Sequence, residues 1–282
     1  MNQQKVVLHQ VPIGILKPHI SNYIASDCLI HIERLRQELT EITKVVGQMG
    51  PLMISKACHV ITEEAIQYDK QNDLIGASAT YANKMLRVGK RAEYFAEQFR
   101  AMGITLVDPR KFFFNTNYNK ILLEGAQGFE LDINWTNYYP YCTSSTCTIA
   151  GAINTGIPIT KIRNVYGVSK AYDTYLGNRV FQPLGNIELE KIGLKCQEFR
   201  AMTGRKRQFN YLNLDNLIEA LRINQCNHCI INKMDILTDL KIYKLYHCNQ
   251  LMTFQTHSDM MNYIMQHLNF VTVYFSNNPY VI

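Results

Sequence analysis

Apolar and polar positions alternate along the chain with two different periods, which predict strands and helices in turn. Lys5–Val11 alternates at every second position like a half-buried strand, and a helical stripe runs from Ile32 to Val46 with Asp27 as its expected N-cap. A long helix rich in Lys and Arg is predicted over Tyr81–Met102. The other predicted elements are strands at Leu52–Ser55, Lys120–Leu123, Ile162–Ser169, Cys229–Ile231 and Phe270–Tyr274, and helices at Glu63–Gln71, Leu214–Ile223 and Ser258–Leu268.

This alternation of strands and helices predicts an α/β fold. We expect a single domain, residues 1–282, around a mainly parallel central sheet with helices on both faces and long active-site loops. The chain contains neither an internal repeat nor a linker rich enough in Pro, Gly or Ser to divide it. The irregular stretch Gly125–Lys161 is longer than most connections, so we expect a functional loop there.

Composition narrows the class of protein. A chain of 282 residues with 47% hydrophobic and 18% charged residues is typical of a globular protein with a sizeable core. The net charge of +6 suits anionic substrates without demanding nucleic acid. No apolar run approaches the roughly 18 residues of a membrane span, and polar residues interrupt the N-terminus, so we expect neither a span nor a signal peptide. The eight scattered cysteines fit free thiols in the cytoplasm.

The sharpest chemical motif is Asn232-Lys233-Met234-Asp235, directly after the apolar strand that ends at Ile231. The Asp235 carboxylate can accept hydrogen bonds from the N1 and N2 hydrogens of guanine, while the Lys233 stem covers the base and Asn232 fixes the loop. Adenine offers no matching pair of donors. Because four residues recur by chance, a solvated turn remains the alternative to a guanine site.

Three further segments carry groups suited to anions, although the usual Gly-x4-Gly-Lys-Ser/Thr phosphate loop is absent from the sequence. Glu124–Gly128 presents the Gln127 amide between glycines, and Thr143–Thr148 is dense in hydroxyl groups. Thr203–Arg207 places three cations after a glycine. Taken singly, Glu124–Gly128 is equally compatible with a tight turn, whereas a polar turn is favoured for Thr143–Thr148 and a solvated charged surface for Thr203–Arg207.

A Cys-x-x-Cys pair, Cys226 and Cys229, suggests zinc because His228 lies inside it and His247-Cys248 lies downstream. No second Cys-x-x-Cys or His-x3-His pair accompanies it, and Cys229 begins an apolar strand. We therefore favour buried thiols over a zinc site at this pair.

Taken together and in order, these segments resemble the adenylosuccinate synthetase family, which joins L-aspartate to IMP using GTP and Mg²⁺. The similarity runs nearly from end to end of the chain. The matching segments are Leu8–Ile15, Glu124–Gly128, Tyr139–Ser145, Lys170–Tyr172, Thr203–Arg207, Arg222–Asn224 and Asn232–Asp235, the last where relatives usually carry Thr-Lys-x-Asp.

The resemblance implies a role for each matching residue. Gln127 would steady the 6-phosphoryl-IMP intermediate as the one catalytic group carried over. The family's pattern implies a cytoplasmic homodimer in which Arg87 reaches the partner's IMP. The implied sets are Ser78, Thr80, Arg87, Gln127, Thr143 and Arg205 for IMP, Thr203, Arg205 and Arg207 for aspartate, and Arg207, Asn232, Lys233 and Asp235 for GTP.

The sequence also departs from the family's pattern. Neither the Gly-Asp-Glu-Gly-Lys-Gly loop, which carries the catalytic Asp and binds GTP phosphate and Mg²⁺, nor the Asn-Ala-Gly-His segment with the catalytic His occurs in these residues. Ile75–Thr80 shortens the family's loop around the IMP phosphate, and Tyr175-Leu176-Gly177 replaces its Arg-Val-Gly. We therefore expect slow catalysis by this chain alone. The alternative is a non-catalytic guanine-nucleotide-binding module or a subunit that pairs with a complete homologue.

Overall fold

The computed structural model describes residues 6–72, 84, 86–87, 89–112, 118–139, 141–143, 145–177, 179–196 and 207–278. The chain forms two compact units, unit 1 with residues 1–161 and unit 2 with residues 162–282, and each is described by itself. Each unit has its own hydrophobic core. Among the described residues, no helix has the length and apolar character that crossing a membrane requires.

Helices and strands alternate through both units. The described helices are α1 (Ile32–Val46), α2 (Glu63–Asn72), α3 (Ala96–Ala101), α4 (Pro109–Phe112), α5 (Ala150–Ile153), α6 (Ile187–Cys196), α7 (Leu214–Ile223), α8 (Met234–Leu240) and α9 (His257–His267). The described strands are β1 (Asn22–Ile24), β2 (Leu29–Ile30), β3 (Leu52–Ser55), β4 (His59–Val60), β5 (Lys90–Arg91), β6 (Thr105–Val107), β7 (Tyr166–Lys170), β8 (Tyr172–Tyr175), β9 (Gln208–Asn213), β10 (His228–Asn232), β11 (Lys244–His247), β12 (Gln250–Thr253) and β13 (Thr272–Phe275).

Unit 1 contains two small sheets. The first, in the order β1-β3-β6, is parallel throughout, and Met53 pairs with Tyr23 on one side and Thr105 on the other. In the second, β2 runs parallel to β4 and β5 runs antiparallel to it. Helix α1 buries Leu35 and Ile42 in this unit's core because residues at helical spacing face one side.

Unit 2 contains the sheets that position the candidate site. One sheet, in the order β13-β10-β7, is parallel throughout, and the other, β12-β11-β9-β8, is mixed. Helix α7 starts at the side chain of Asn213, which accepts a hydrogen bond from the Asn216 amide at 3.1 Å. Gly167 on β7 allows α7 to pack closely, since a Cβ there would lie 2.4 Å from Leu221 Cδ2.

The α/β class and the mainly parallel pairing are confirmed, since six of the nine described strand pairs are parallel. The described strands pair in four sheets, whereas the sequence predicts one central sheet. The assignment of residues 1–282 to one domain stays a prediction. The predicted strand Leu52–Ser55 and helix Leu214–Ile223 have the predicted bounds.

The predicted strand at the N-terminus is wrong over the described residues 6–11. The backbone amides of His9 and Gln10 donate to the buried carboxylate of Glu38, at 2.6 and 3.0 Å, instead of to a neighbouring strand. The expected N-cap is also wrong, because His31 caps α1. Asp27 instead forms an ion pair with Lys84 at 2.6 Å.

Two further predicted elements are wrong. The basic helix expected over Tyr81–Met102 is replaced, where the structure describes it, by strand β5, a 3₁₀ turn at Ala92–Phe95 and the short helix α3. Pairing of Lys90 with Val60 on β4 overrides the local helix propensity. Lys120–Leu123 is not a strand, and Leu122 is 77% exposed, because a four-residue apolar run does not by itself specify a partner.

Candidate functional site

Three parallel strands of unit 2 end at the same edge of their sheet. Strands β7, β10 and β13 end at Lys170, Asn232 and Phe275, and helix α8 begins two residues after β10. Ligands of α/β proteins usually bind at the carboxyl ends of parallel strands, where the loops gather. We call the group Asn232, Lys233 and Asp235 at this position the edge site.

The backbone at the edge site turns sharply and is held in place by the segment after β13. Lys233 has a left-handed backbone, with φ of 65°, which turns the chain from β10 into α8. The Ser276 carbonyl accepts a hydrogen bond from Met234 N at 3.4 Å, and the Ser276 amide donates to Ile231 O at 2.9 Å. Ser276 therefore lies against this turn.

The Asp235 carboxylate is half-buried in the first turn of α8. Its negative charge is stabilised there by the positive end of the helix dipole. Within the described part of the chain, no side chain or amide donates a hydrogen bond to it. The positively charged Lys195 interacts with this carboxylate. The pKa of Lys195 is raised by a hydrogen bond to Asp239 and, to a lesser extent, by the charge of Asp235.

Asn232 contributes a second acceptor. Its backbone carbonyl receives the Ala171 amide at 2.8 Å, but its side-chain Oδ1 is buried without a hydrogen-bond partner among the described residues. A buried oxygen without a donor is costly, so an N–H group supplied by a ligand would relieve that cost. The edge site thus combines a carboxylate, an amide oxygen and the Lys233 side chain.

This arrangement suits a planar base with adjacent N–H donors. The two oxygens of Asp235 can accept from N1 and N2 of guanine, and the alkyl stem of Lys233 can cover the ring. Ser276 was missed by the sequence analysis. The polar run 276–278 was the available indication, because it begins two residues after the last predicted strand and directly after β13.

The loop at residues 124–128 in unit 1 carries Gln127 at its tip. Gln127 is exposed and has a left-handed backbone, with φ of 69°. The Glu124 carboxylate accepts a hydrogen bond from Ile13 N at 3.3 Å, which ties the start of the loop to the preceding segment. Gly128 forms a backbone hydrogen bond with the Cys147 thiol, which connects the loop to the hydroxyl-rich segment.

The carboxylate of Asp132 holds this loop cluster, residues 124–148, together. Asp132 is fully buried, and its Oδ1 accepts from Asn134 N at 2.8 Å. Its Oδ2 accepts from the amides of Cys147 and Thr148, the latter at 3.1 Å. The sequence analysis missed Asp132, because a single carboxylate inside an irregular stretch gives no periodic signal.

Thr143 lies inside the same cluster rather than on its surface. It is 2% exposed, its hydroxyl donates to Leu131 O at 3.1 Å, and the hydroxyl accepts from Ser145 N at 3.1 Å. Burial raises the pKa of the neighbouring Cys147 thiol, which therefore stays protonated at neutral pH. The Thr148 hydroxyl is buried without a hydrogen-bond partner among the described residues.

The other predicted site residues are more scattered. Gln127 and Thr143 lie in the loop cluster of unit 1, and Arg87 is exposed in the same unit with φ of 57°. In unit 2, Arg207 is half-buried directly before β9. The remaining predicted residues, Ser78, Thr80, Thr203 and Arg205, lie outside the described residues.

The described residues hold one cluster of three potential metal ligands, formed by Asp215, His247 and Cys248. Its nitrogen and sulfur donors do not suit Mg²⁺, which prefers oxygen ligands in octahedral geometry. This cluster is therefore not a candidate for the magnesium that the resemblance implies, which stays a prediction. Of the Cys226 and Cys229 pair, Cys229 is fully buried and burial raises its pKa to about 12, whereas Cys226 is half-buried with its pKa raised by burial.

The similarity of this chain to known proteins extends over both units. The family profile described as adenylosuccinate synthetase matches residues 1–118 and 113–276. The adenylosuccinate synthetase of Meyerozyma guilliermondii is 28% identical over 306 positions, covering 87% of this chain and 71% of that protein. The fully ligated adenylosuccinate synthetase of Plasmodium falciparum superposes with a TM-score of 0.78 at 21% identity, covering 99% of this chain and 87% of that one.

A second solved structure is similar in fold. The succinoaminodeoxyadenylate synthetase of cyanophage S-2L, bound to dGMP and to dATP as an energy donor, superposes with a TM-score of 0.66 at 19% identity. The match covers 92% of this chain and 83% of that one. The two structural neighbours thus confirm the fold.

Proposed function

The chain belongs to the adenylosuccinate synthetase family and is a synthetase-like protein of purine nucleotide biosynthesis, and from this premise we propose that its edge site binds the guanine of GTP. GTP would supply the phosphoryl group for joining L-aspartate to IMP. Family membership does not favour the alternative of a non-catalytic module. We propose the cytoplasm as the compartment, since the eight cysteines suit free thiols.

The observation that supports guanine is the state of the Asp235 carboxylate. It is half-buried in the first turn of α8, three residues after Asn232, whose buried Oδ1 lacks a donor among the described residues. The two oxygens of this one carboxylate match the Watson–Crick edge of guanine, which presents N1–H and N2–H₂ side by side. Adenine presents an acceptor at N1 and would face these oxygens with its lone pair.

Guanine recognition is tested by titration calorimetry of the 282-residue chain with GDP and with ADP. We expect GDP to bind at least tenfold more tightly, because two hydrogen bonds to a carboxylate are gained only with guanine. ADP is the informative comparison because the cyanophage neighbour carries an adenine nucleotide as its energy donor. Equal affinity for GDP and ADP would remove the guanine assignment.

For the acceptor side of the reaction, we propose that the loop cluster binds IMP. Gln127, exposed at the tip of the loop, is the proposed contact to the 6-phosphoryl-IMP intermediate. Thr143 would act from its buried position by holding the loop, and its predicted contact with the IMP phosphate stays a prediction. Arg205 with Thr203 and Arg207 would bind aspartate, since guanidinium groups pair well with carboxylates.

We also propose a homodimer in which Arg87 of one protomer serves the IMP site of the other. Arg87 is exposed, which leaves its guanidinium accessible to a second chain. Co-expression with a full-length homologue that lacks the matching arginine should restore part of that homologue's activity. The restored activity should disappear with Arg87→Ala, because no guanidinium then reaches the IMP phosphate.

The control in this experiment is the 282-residue chain without the homologue, from which we expect little adenylosuccinate. A strictly monomeric chain at micromolar concentration, with no heterodimer in native mass spectrometry, would refute the shared site. If Arg87→Ala rescues the homologue as well as the wild-type chain does, the role of Arg87 is refuted but the heterodimer is not.

A further inference from the structure

Three side chains of unit 2, one from helix α7 and two from the β11–β12 hairpin, lie close together. Asp215 lies in the first turn of α7, His247 ends β11, and Cys248 follows it in the hairpin turn. One ligand atom of each, a carboxylate oxygen, an imidazole nitrogen and the thiol sulfur, lies within 4.8 Å of the other two. We propose that Asp215, His247 and Cys248 form a zinc-binding site that has no part in the ligation reaction.

The imidazole of His247 is already oriented as a metal ligand requires. Its Nδ1 is hydrogen-bonded to the Tyr263 hydroxyl at 2.7 Å, and its Nε2 lies 3.6 Å from Asp215 Oδ1. Metal-bound histidines usually engage their second nitrogen in such a bond, which fixes the ring and leaves the other lone pair for the metal. His247 is only 12% exposed, so packing also restricts its ring.

The carboxylate of Asp215 is fixed in a similar way. Its Oδ2 accepts a hydrogen bond from the Cys248 amide at 2.7 Å, and its Oδ1 faces His247 Nε2. Ligand atoms around a tetrahedral zinc lie roughly 3.3–3.8 Å apart. The 3.6 Å separation of Oδ1 and Nε2 already falls in this range, and the exposed Cys248 sulfur lies within 4.8 Å of a ligand atom of each.

The donor set favours zinc over the other common divalent cations. A thiolate, an imidazole and a carboxylate suit zinc, whereas Mg²⁺ and Ca²⁺ take oxygen ligands. On binding, the Cys248 thiol loses its proton to solvent, and the two negative ligands then balance the charge of the ion. Because Cys248 is exposed, the metal can reach the site from solvent, and water can complete the fourth position.

The hairpin turn holds the cysteine in an uncommon conformation. Cys248 and Asn249 have φ of 51° and 58°, the pair of left-handed residues that a two-residue type I′ turn requires. Asparagine is common there, but cysteine is not. The turn directs Cys248 next to His247 and over the start of α7, so a bound ion would tie the hairpin to the helix.

The site is tested with Co²⁺, a spectroscopic substitute for zinc, on the reduced and chelator-treated 282-residue chain. We expect one equivalent to produce a thiolate-to-cobalt charge-transfer band, zinc to displace it, and zinc to raise the melting temperature. Cys248→Ser should abolish the band, and Tyr263→Phe, which removes only the bond that orients His247, should weaken zinc binding about tenfold. Cys28→Ser, at another exposed cysteine, is the matched control and should leave the band unchanged.

Cys248→Ser changes an exposed side chain, so the variant should keep the fold, and circular dichroism verifies this. Absence of a thiolate band in the wild-type chain would overturn the proposal. Persistence of the band in Cys248→Ser would also overturn it, because another cysteine, such as Cys226, would then be the ligand. Neither outcome bears on guanine binding, since the edge site contains none of these residues.

Discussion

Replacing Asp132 with alanine is expected to lower the free energy of unfolding of the loop cluster in unit 1 by about 3 kcal/mol. The carboxylate is fully buried and accepts hydrogen bonds from the amides of Asn134, Cys147 and Thr148. Alanine leaves all three donors without this acceptor, and unpaired donors in a protein interior are costly. The sole tryptophan, Trp135, lies three residues away, so its fluorescence in urea reports on this region.

Two variants control this experiment. Asp132→Asn keeps the shape of the side chain but retains only one accepting oxygen, so its loss should be smaller. Asp108→Ala, which removes a single bond to the Arg110 amide, should shift the tryptophan transition little. An unchanged urea midpoint in Asp132→Ala would show that the loop cluster does not depend on the buried carboxylate.

The second large effect concerns nucleotide affinity. Asp235→Ala should weaken GDP binding by tenfold to a hundredfold while leaving the weaker ADP binding unchanged, because only guanine donates two hydrogen bonds to the carboxylate. Titration calorimetry of the wild-type chain and of Asp235→Ala, each with GDP and with ADP, measures the effect. The preference for GDP over ADP should disappear.

Asp239→Ala is the matched control because Asp239 lies one turn further along the same helix, α8. Its carboxylate is 56% exposed and pairs with Lys195 at 2.8 Å, away from the strand ends. This variant removes the same charge from the same helix and should retain the GDP preference. A loss of preference in both variants would indicate a general charge effect rather than contact with the base.

The edge site was predictable from sequence because its information is local. A short apolar strand, the Asn232–Asp235 motif and the following helical stripe occupy adjacent positions, so spacing alone places Asp235 beside the strand end. Ser276 reaches the same turn only through the pairing of β13 with β10, which is a contact between distant segments. The sequence analysis therefore missed it.

Unit 1 was harder to predict because tertiary contacts override its local patterns. The basic segment before Ala92 has helical spacing, yet Lys90 lies on the edge strand β5 and pairs with Val60 on β4. The N-terminal alternation resembles a strand, yet its amides bond to the Glu38 carboxylate. In the loop cluster, the hydroxyls of 143–148 suggested a ligand surface, but the buried Asp132 and Thr143 use their polar groups within the protein.

Comparison of GDP with inosine diphosphate tests most directly whether Asp235 binds guanine. Inosine diphosphate differs from GDP only by lacking the 2-amino group, so in the wild-type chain it should bind about tenfold more weakly. In Asp235→Ala the two nucleotides should bind equally, since the partner of that amino group is gone. The same GDP-to-inosine-diphosphate ratio in both proteins would contradict the account, because the guanine amino group would then lie elsewhere.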